Sequence, residues 1–193
     1  MMAGHIEYRK SAVARLTNKI GVYVLCDLDD VPIYVGQSTD GIRARVQRHL
    51  TSARSDVIAN RQIDVWEVAY VRAYPVAEKS QLNILESTLF HHHDPQSQLM
   101  NGKLLPRPEQ VIELPEPDIV QVIQDREIEE RQNPQLRLVR QAKHYADIIG
   151  HFLTVKNSPE IARAMGAHFA RLARYHQSLL DQSKQAQSEL FRK

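Results

Sequence analysis

Short apolar runs punctuate the first half of the chain and predict strands. Residues 21–36, GVYVLCDLDDVPIYVG, hold two such runs on either side of a polar corner. This pattern predicts a hairpin with strands over about 21–27 and 31–36. Residues 64–74, DVWEVAYVRAY, alternate in polarity and are rich in β-branched and aromatic side chains, which predicts a third strand. The first half of the chain is therefore expected to contain a small antiparallel sheet.

Apolar residues at helical spacing lie between and after these strands. Ile42, Val46 and Leu50 recur every four residues and predict an amphipathic helix. Residues 76–93 predict a second helix after the third strand. Together these elements predict a domain of the α/β (α+β) class over residues 21–107, with a small central three-stranded antiparallel sheet flanked by helices.

Outside that domain the chain is predicted to be mainly helical. Residues 1–20 form an N-terminal extension in this interpretation. ELPEPD at 113–118 places two prolines among acids and marks a boundary. We therefore interpret residues 108–132 as an acidic, proline-containing connector with a short helix, and residues 133–193 as an all-helical C-terminal extension.

Two cap-and-proline pairs define a helical hairpin in this extension. Asn133-Pro134 and Ser158-Pro159 are both typical helix starts. In the second helix, one row is expected to be buried: Ile161, Met165, Phe169, Leu172, His176 and Leu179. Two helices alone bury little surface, so the pair is expected to pack on the first domain, on the connector or on another subunit.

The distribution of charge adds one open question. The 193 residues are 42% apolar and 25% charged, which is ordinary for a soluble globular protein. The net charge is only +2, but residues 108–130 carry −7 and residues 131–193 carry +7. A basic stretch of this kind is typical either of a nucleic-acid-binding surface or of a solvated helix.

The chain lacks the sequence features of exported and membrane proteins. Its single cysteine, Cys26, cannot form an intramolecular disulfide, which suits a reducing compartment. No stretch approaches the roughly 18 apolar residues of a membrane span. The first residues carry charges and no apolar segment typical of a signal peptide. A cytoplasmic protein that does not enter the membrane is therefore expected.

Two tyrosines make the predicted hairpin a candidate site. If the hairpin is symmetric about residues 28–29, Tyr23 lies opposite Tyr34 and both rings project from the same face of the sheet. Cross-strand aromatic pairs also stabilise hairpins without any further role. The pair alone therefore does not establish a site.

Charged side chains on the two predicted helices favour a functional interpretation. Arg45 and His49 lie one turn apart and flank the apolar stripe of the first helix. In the second helix, Glu86 lies near the buried side, where a carboxylate is costly unless a cation meets it. Either an ion pair with Arg45 or a divalent metal ion would satisfy this carboxylate.

In this order, these residues resemble the GIY-YIG nuclease superfamily. The two strand motifs stand here as Gly21-Val22-Tyr23 and Tyr34-Val35-Gly36, each with valine in place of the central isoleucine. The later elements are Arg45 and His49 in RVQRHL, Glu86 in LNILESTLF, and Asn101 in LMN. One triplet alone would be a weak signal, but five elements in order over roughly residues 20–105 are specific.

The resemblance implies a metal-dependent endonuclease that hydrolyses DNA phosphodiester bonds. It implies that Tyr23 is the base that activates water and that Glu86 binds one divalent cation, Mg²⁺ or Mn²⁺. Tyr34 would orient the water or bind phosphate, and Arg45 would bridge phosphate oxygens. His49 would bind phosphate or assist proton transfer.

Four further residues are expected at the substrate. Gly36 would allow close approach of the backbone, and Arg43, Arg48 and Asn101 are predicted to bind the substrate. The substrate is expected to be DNA, with RNA as the alternative, in restriction or phage defence, a mobile element or repair. The C-terminal helices are expected to mediate a homodimer or to bind a protein partner.

A different class of function stays open from the sequence. A catalytically silent protein with the GIY-YIG fold could bind nucleic acid, or act as an adaptor through its helical tail. The presence together of Tyr23, Tyr34, Arg45 and Glu86 favours the enzyme, because a merely structural domain would not need all four.

Overall fold

Strands and helices follow the predicted order, with one additional strand and one additional short helix. The computed structural model describes residues 2–51, 56–110 and 112–190. The elements are α1 (Met2–Ala14), β1 (Gly21–Cys26), β2 (Pro32–Ser38), α2 (Ile42–Thr51), α3 (Asp56–Ala59), β3 (Tyr70–Pro75), α4 (Ser80–His93), β4 (Asp118–Gln121), α5 (Asp125–Gln132), α6 (Pro134–Thr154) and α7 (Pro159–Leu190). The α+β class and the helical C-terminal part are confirmed.

The sheet has four antiparallel strands in the order β2-β1-β3-β4, one more than predicted. The additional strand β4 spans only Asp118–Gln121 and lies in the segment that we interpreted as a connector. The sequence did not predict this strand, because a segment of four residues is too short to show a clear alternation of polarity. β4 pairs with β3 and so adds this segment to the sheet.

The third strand is shorter than predicted. It begins at Tyr70, because residues 64–67 form a turn instead. The Asp64 carboxylate accepts a hydrogen bond from the backbone of Trp66 at 3.1 Å, and the backbone of Glu67 donates to the Asp64 carbonyl at 3.0 Å. An aspartate that bonds to the backbone two residues on favours a turn over a strand.

The register of the tyrosine hairpin also differs from the prediction. Tyr23 lies opposite Gly36, and Leu25 lies opposite Tyr34. The prediction that Tyr23 lies opposite Tyr34 is therefore wrong by two residues. A shift of two keeps the alternation of faces, so both tyrosines still project from the same side.

The cause of the shift is an asymmetric corner. The Asp27 carboxylate accepts hydrogen bonds from the backbones of Asp29 and Val31, both at 3.0 Å. Asp30 has a left-handed φ of 56°, and the register shifts between Leu25 and Cys26. The extra residues therefore fall on the second strand's side of the corner.

Apolar clusters cover both faces of the sheet. The first packs against α1 and α2 and includes Leu16, Tyr23, Leu25, Ile42, Val46, Leu50 and Val71. The second packs against α4 and includes Val22, Val24, Cys26, Val35, Leu82, Leu85 and Leu89. The catalytic candidates on β1 and β2 thus lie between packed layers of the domain.

The two C-terminal helices form the predicted antiparallel hairpin and pack on the first domain. The Asn133 side chain caps α6 by accepting from the backbone of Gln135, and Ser158 Oγ accepts from the backbone of Ile161 in α7. The predicted buried row of α7 holds only in part: Ile161 is buried, Met165, Leu172 and Leu179 are half-buried, and Phe169 and His176 are exposed. The residues that α6 and α7 bury include the polar ones Arg137, Gln141, His168 and Arg171.

Ion pairs explain this polar interface. Arg137 binds Glu67 and Asp29, Arg140 binds Asp64, Arg163 binds Asp94, and Arg171 binds Asp27. Four arginines of the tail therefore meet carboxylates of the first domain. These four follow neither expectation for the basic stretch. Across the described ranges, no helix has the length and apolar character that crossing a membrane requires.

Candidate active site

A tyrosine and a histidine share a buried hydrogen bond at the centre of the site. Tyr23 on β1 is 0% exposed, and its Oη lies 2.6 Å from Nε2 of His49 on α2. Tyr34 on β2 completes a group of three rings. Its ring centroid lies 6.3 Å from that of Tyr23 and 5.9 Å from that of His49. The structure thus brings together three of the predicted catalytic side chains.

Gly36 makes room for this arrangement. A Cβ at position 36 would lie 2.5 Å from Oη of Tyr23 and 2.8 Å from Cε1 of Tyr34. Real Cβ atoms do not approach other atoms this closely. The close approach expected at Gly36 is therefore made by the Tyr23 phenol, which lies against the backbone of β2.

The surroundings of Tyr23 keep its phenol neutral. Burial raises the pKa of Tyr23 well above its ordinary value, and the nearby Tyr34 and Glu86 raise it further. The Arg45 guanidinium opposes these effects by its charge and by a hydrogen bond to the phenol, both of which lower the pKa. Tyr23 is therefore a phenol that can donate a proton to His49.

Glu86 belongs to α4 and lies beside Gln37 of β2. Burial raises the pKa of Glu86 to about 7, while hydrogen bonds from the side chain and backbone of Gln37 lower it. Gln37 pairs with Val22, whose side chain packs on the α4 side of the sheet. Its Nε2 also donates to Oδ1 of Asn83 at 3.0 Å. The sequence analysis missed Gln37 and Asn83, because uncharged amides carry no distinctive pattern.

A cationic groove adjoins these residues. It has a volume of about 480 Å³ and is lined by Arg45 and Arg48 of α2, by Lys79 just before α4, by Asn83, and by one carboxylate, Asp40. Lys79 was also missed, although it directly precedes the helix that carries Glu86. Three cations from two elements make the groove attractive to an anion.

Comparison with known proteins identifies this part of the molecule. Residues 19–101 match the family model of the GIY-YIG catalytic domain. This match lies in the N-terminal half of the chain and implies a nuclease-type fold there, as the order of motifs predicts. Nucleases of this family act on DNA. A search of curated proteins found no match to the chain.

The GIY-YIG domain offers one carboxylate to a metal ion. Within the described residues, no group of three or more His, Cys, Asp or Glu side chains is placed to hold a metal. Mg²⁺ commonly uses one or two carboxylates and completes its shell with water and substrate phosphates. The raised pKa of Glu86 indicates a negative charge that its surroundings compensate poorly. The residues present therefore fit Mg²⁺ or Mn²⁺ and do not fit a zinc site of several protein ligands.

Two predicted substrate-binding residues of the GIY-YIG domain bond to its own backbone. Nε of Arg43 donates to the Leu16 carbonyl at 2.7 Å and ties α2 to the segment after α1. The Asn101 amide accepts from the backbone N–H of Val35 at 3.0 Å and donates to its carbonyl at 2.7 Å. Contact of either residue with a substrate stays a prediction, whereas Arg48 is exposed in the groove.

Proposed function

We propose that this protein is a metal-dependent endonuclease that hydrolyses phosphodiester bonds of DNA. The observation that carries the proposal is the 2.6 Å hydrogen bond between Tyr23 and His49 inside a GIY-YIG domain. A hydroxyl and an imidazole in an apolar interior cost free energy unless each satisfies the other. Beside Tyr34, Arg45 and Glu86, this pair is suited to moving a proton.

The water proton would pass through Tyr23 to His49. As water attacks the phosphorus, the Tyr23 oxygen takes its proton while the phenol donates its own proton to Nε2 of His49. This sequence suits a tyrosine whose pKa is raised, because no free phenolate has to accumulate. It requires a neutral His49 whose Nε2 is free to accept the proton.

Arg45 and Tyr34 would hold the phosphate. A guanidinium presents a planar fork of N–H donors that matches two phosphate oxygens. Its charge also lowers the pKa of Tyr23 and so favours the transient negative charge on that oxygen. Tyr34 would orient the attacking water or donate to a phosphate oxygen.

Glu86 would hold one divalent cation, Mg²⁺ or Mn²⁺. When bound, the cation supplies positive charge at the scissile phosphate and the departing oxygen. The phosphates next to the scissile one would lie in the groove of Arg48 and Lys79. These assignments give each predicted catalytic residue a separate task.

The cellular setting and assembly are proposals of the same kind. Cys26 is fully buried and reduced, which suits the cytoplasm. Restriction or phage defence, a mobile element and repair are the proposed settings. Cleavage of both strands would require a homodimer or a second binding event, and several apolar residues of the helical hairpin, Phe169 among them, are exposed for such contacts.

A cleavage assay with labelled single- and double-stranded DNA tests the function. We expect cutting with Mg²⁺, none with EDTA, and none by Glu86→Ala. Glu78→Gln is the matched control, because Glu78 is exposed just before the same helix. Undiminished cutting by Glu86→Ala would contradict the metal assignment. DNA binding without any cutting would favour the catalytically silent alternative.

A further inference from the structure

Helix α7 reaches the hairpin that carries both tyrosines through Arg171. This arginine is 4% exposed. Its Nη1 donates to Oδ2 of Asp27 at 2.6 Å, and its Nη2 donates to the Pro32 carbonyl at 2.9 Å and to Ser97 Oγ at 3.0 Å. Asp27 follows the last residue of β1, and Pro32 is the first residue of β2. One guanidinium therefore joins both ends of the hairpin corner.

A second arginine of the same helix supports the segment before the connector. Nη1 of Arg163 donates to the carbonyls of Leu99 and Asn101, both at 2.6 Å. Its Nη2 binds the Asp94 carboxylate, and its guanidinium lies 5.3 Å from the centroid of the Phe90 ring. These contacts fix the course of residues 99–101 relative to α4 and α7.

Residues 99–101 in turn hold the outer edge of β2. The backbone N–H of Met100 donates to the Ile33 carbonyl at 2.7 Å, and the Asn101 side chain bonds to both backbone groups of Val35. Among the residues that the structure describes, β2 is an edge strand with β1 as its one neighbour in the sheet. The strand that carries Tyr34 and Gly36 thus relies on this segment for the support that a second strand would give.

We propose that Arg163 and Arg171 are positioning residues of the active site. They make the C-terminal hairpin a structural part of the catalytic centre, because they fix the strand against which Tyr23 lies. This inference rests on the proposed function. The tolerance is small, since Tyr23 Oη already occupies the space where a Cβ on residue 36 would lie. A displacement of about 1 Å in a reacting group can cost roughly 100-fold in rate.

Matched variants separate positioning from general stability. Arg163→Gln removes both carbonyl contacts, and Arg163→Lys is a milder variant that keeps the charge. Arg140→Gln is the control, because it breaks the ion pair between α6 and Asp64. Asp64 lies outside both β2 and residues 99–101. We expect Arg163→Gln to lower kcat by about 10- to 100-fold with KM changed by less than about threefold. Arg140→Gln should leave kcat unchanged.

Hydrogen exchange gives a readout that needs no nuclease activity. The Val35 N–H donates to Asn101, so its exchange should accelerate at least about tenfold in Arg163→Gln and less in Arg163→Lys. The Val24 amide in the central strand should not change in either variant. Unchanged kcat together with unchanged Val35 exchange in Arg163→Gln would overturn the inference while leaving the proposed function intact. Absence of cleavage by the wild-type protein would instead overturn the function, and exchange would still test the support of β2.

Discussion

A methyl group at Gly36 is the smallest change that should disable the site. In Gly36→Ala, the new Cβ would lie 2.5 Å from Oη and 2.7 Å from Cζ of Tyr23, and 2.8 Å from Cε1 of Tyr34. Carbon atoms pack best at about 3.5–4.0 Å. The phenol or the strand must therefore move by about 1 Å. Tyr23 is completely buried, so it has no free space into which to retreat.

This displacement should affect rate and stability to different extents. Overpacking of a core costs about 1–3 kcal/mol in the free energy of unfolding. The hydrogen bond to His49 is only 2.6 Å long, and moving the Tyr23 phenol by about 1 Å is expected to lower kcat roughly 100-fold. The variant should therefore remain folded at low temperature but cut DNA poorly.

Gly150→Ala is the matched control for this substitution. A Cβ at Gly150, within α6, would meet nothing within 4 Å. Alanine is preferred over glycine in a helix interior by about 0.8–1.0 kcal/mol, so this variant should be as active as the wild type and slightly more stable. Single-turnover cleavage and urea unfolding measure the two effects. A wild-type kcat in Gly36→Ala would refute the reasoning, because catalysis would then not depend on the position of the Tyr23 phenol.

Three further results are expected. Burial raises the pKa of Glu86 to about 7, so a proton competes with the metal for this carboxyl. Calorimetry should therefore show that the affinity of Glu86 for Mg²⁺ falls about tenfold per pH unit below pH 7 and is constant above pH 8. An affinity independent of pH would contradict the assignment. Lys79→Gln should lower the slope of the logarithm of the DNA-binding constant against the logarithm of salt concentration by about 1, with kcat unchanged. Lys143→Gln should leave that slope unchanged. Equal slopes in both variants would show that Lys79 does not contact the DNA. Arg137→Met should lower the free energy of unfolding by about 3–5 kcal/mol in urea, because it leaves Glu67 buried without its partner, and a loss below about 1 kcal/mol would contradict a buried ion pair.

Local patterns in the sequence were sufficient to predict the strands and the helix that bring Tyr23, Tyr34 and His49 together. Alternating apolar residues and the glycine-tyrosine triplets predicted β1 and β2. Helical spacing predicted the helix faces on which Arg45, His49 and Glu86 lie. The register could not be predicted in the same way. It depends on how Asp27 bonds to the backbone of the corner, which shifts the partner of Tyr23 from Tyr34 to Gly36.

The tail shows where periodicity is misleading. Apolar spacing predicts that α7 buries Phe169, yet the interface is formed largely by arginines that meet carboxylates far away in the chain. Arg171 and Asp27 are 144 residues apart, and no pattern within one helix reveals such a pairing. β4 was missed for a related reason, because its pairing with β3 and not its own sequence makes it a strand.

The most direct test of the central claim compares Tyr23→Phe with the wild type in single-turnover cleavage of DNA at saturating Mg²⁺. Tyr145→Phe is the control, since Tyr145 contacts Phe169 in the helical hairpin and lies outside the GIY-YIG domain. Loss of the Tyr23 hydroxyl should lower the rate at least about 100-fold, whereas Tyr145→Phe should have no effect. A Tyr23→Phe protein that cuts DNA at the wild-type rate would contradict proton transfer through Tyr23 to His49.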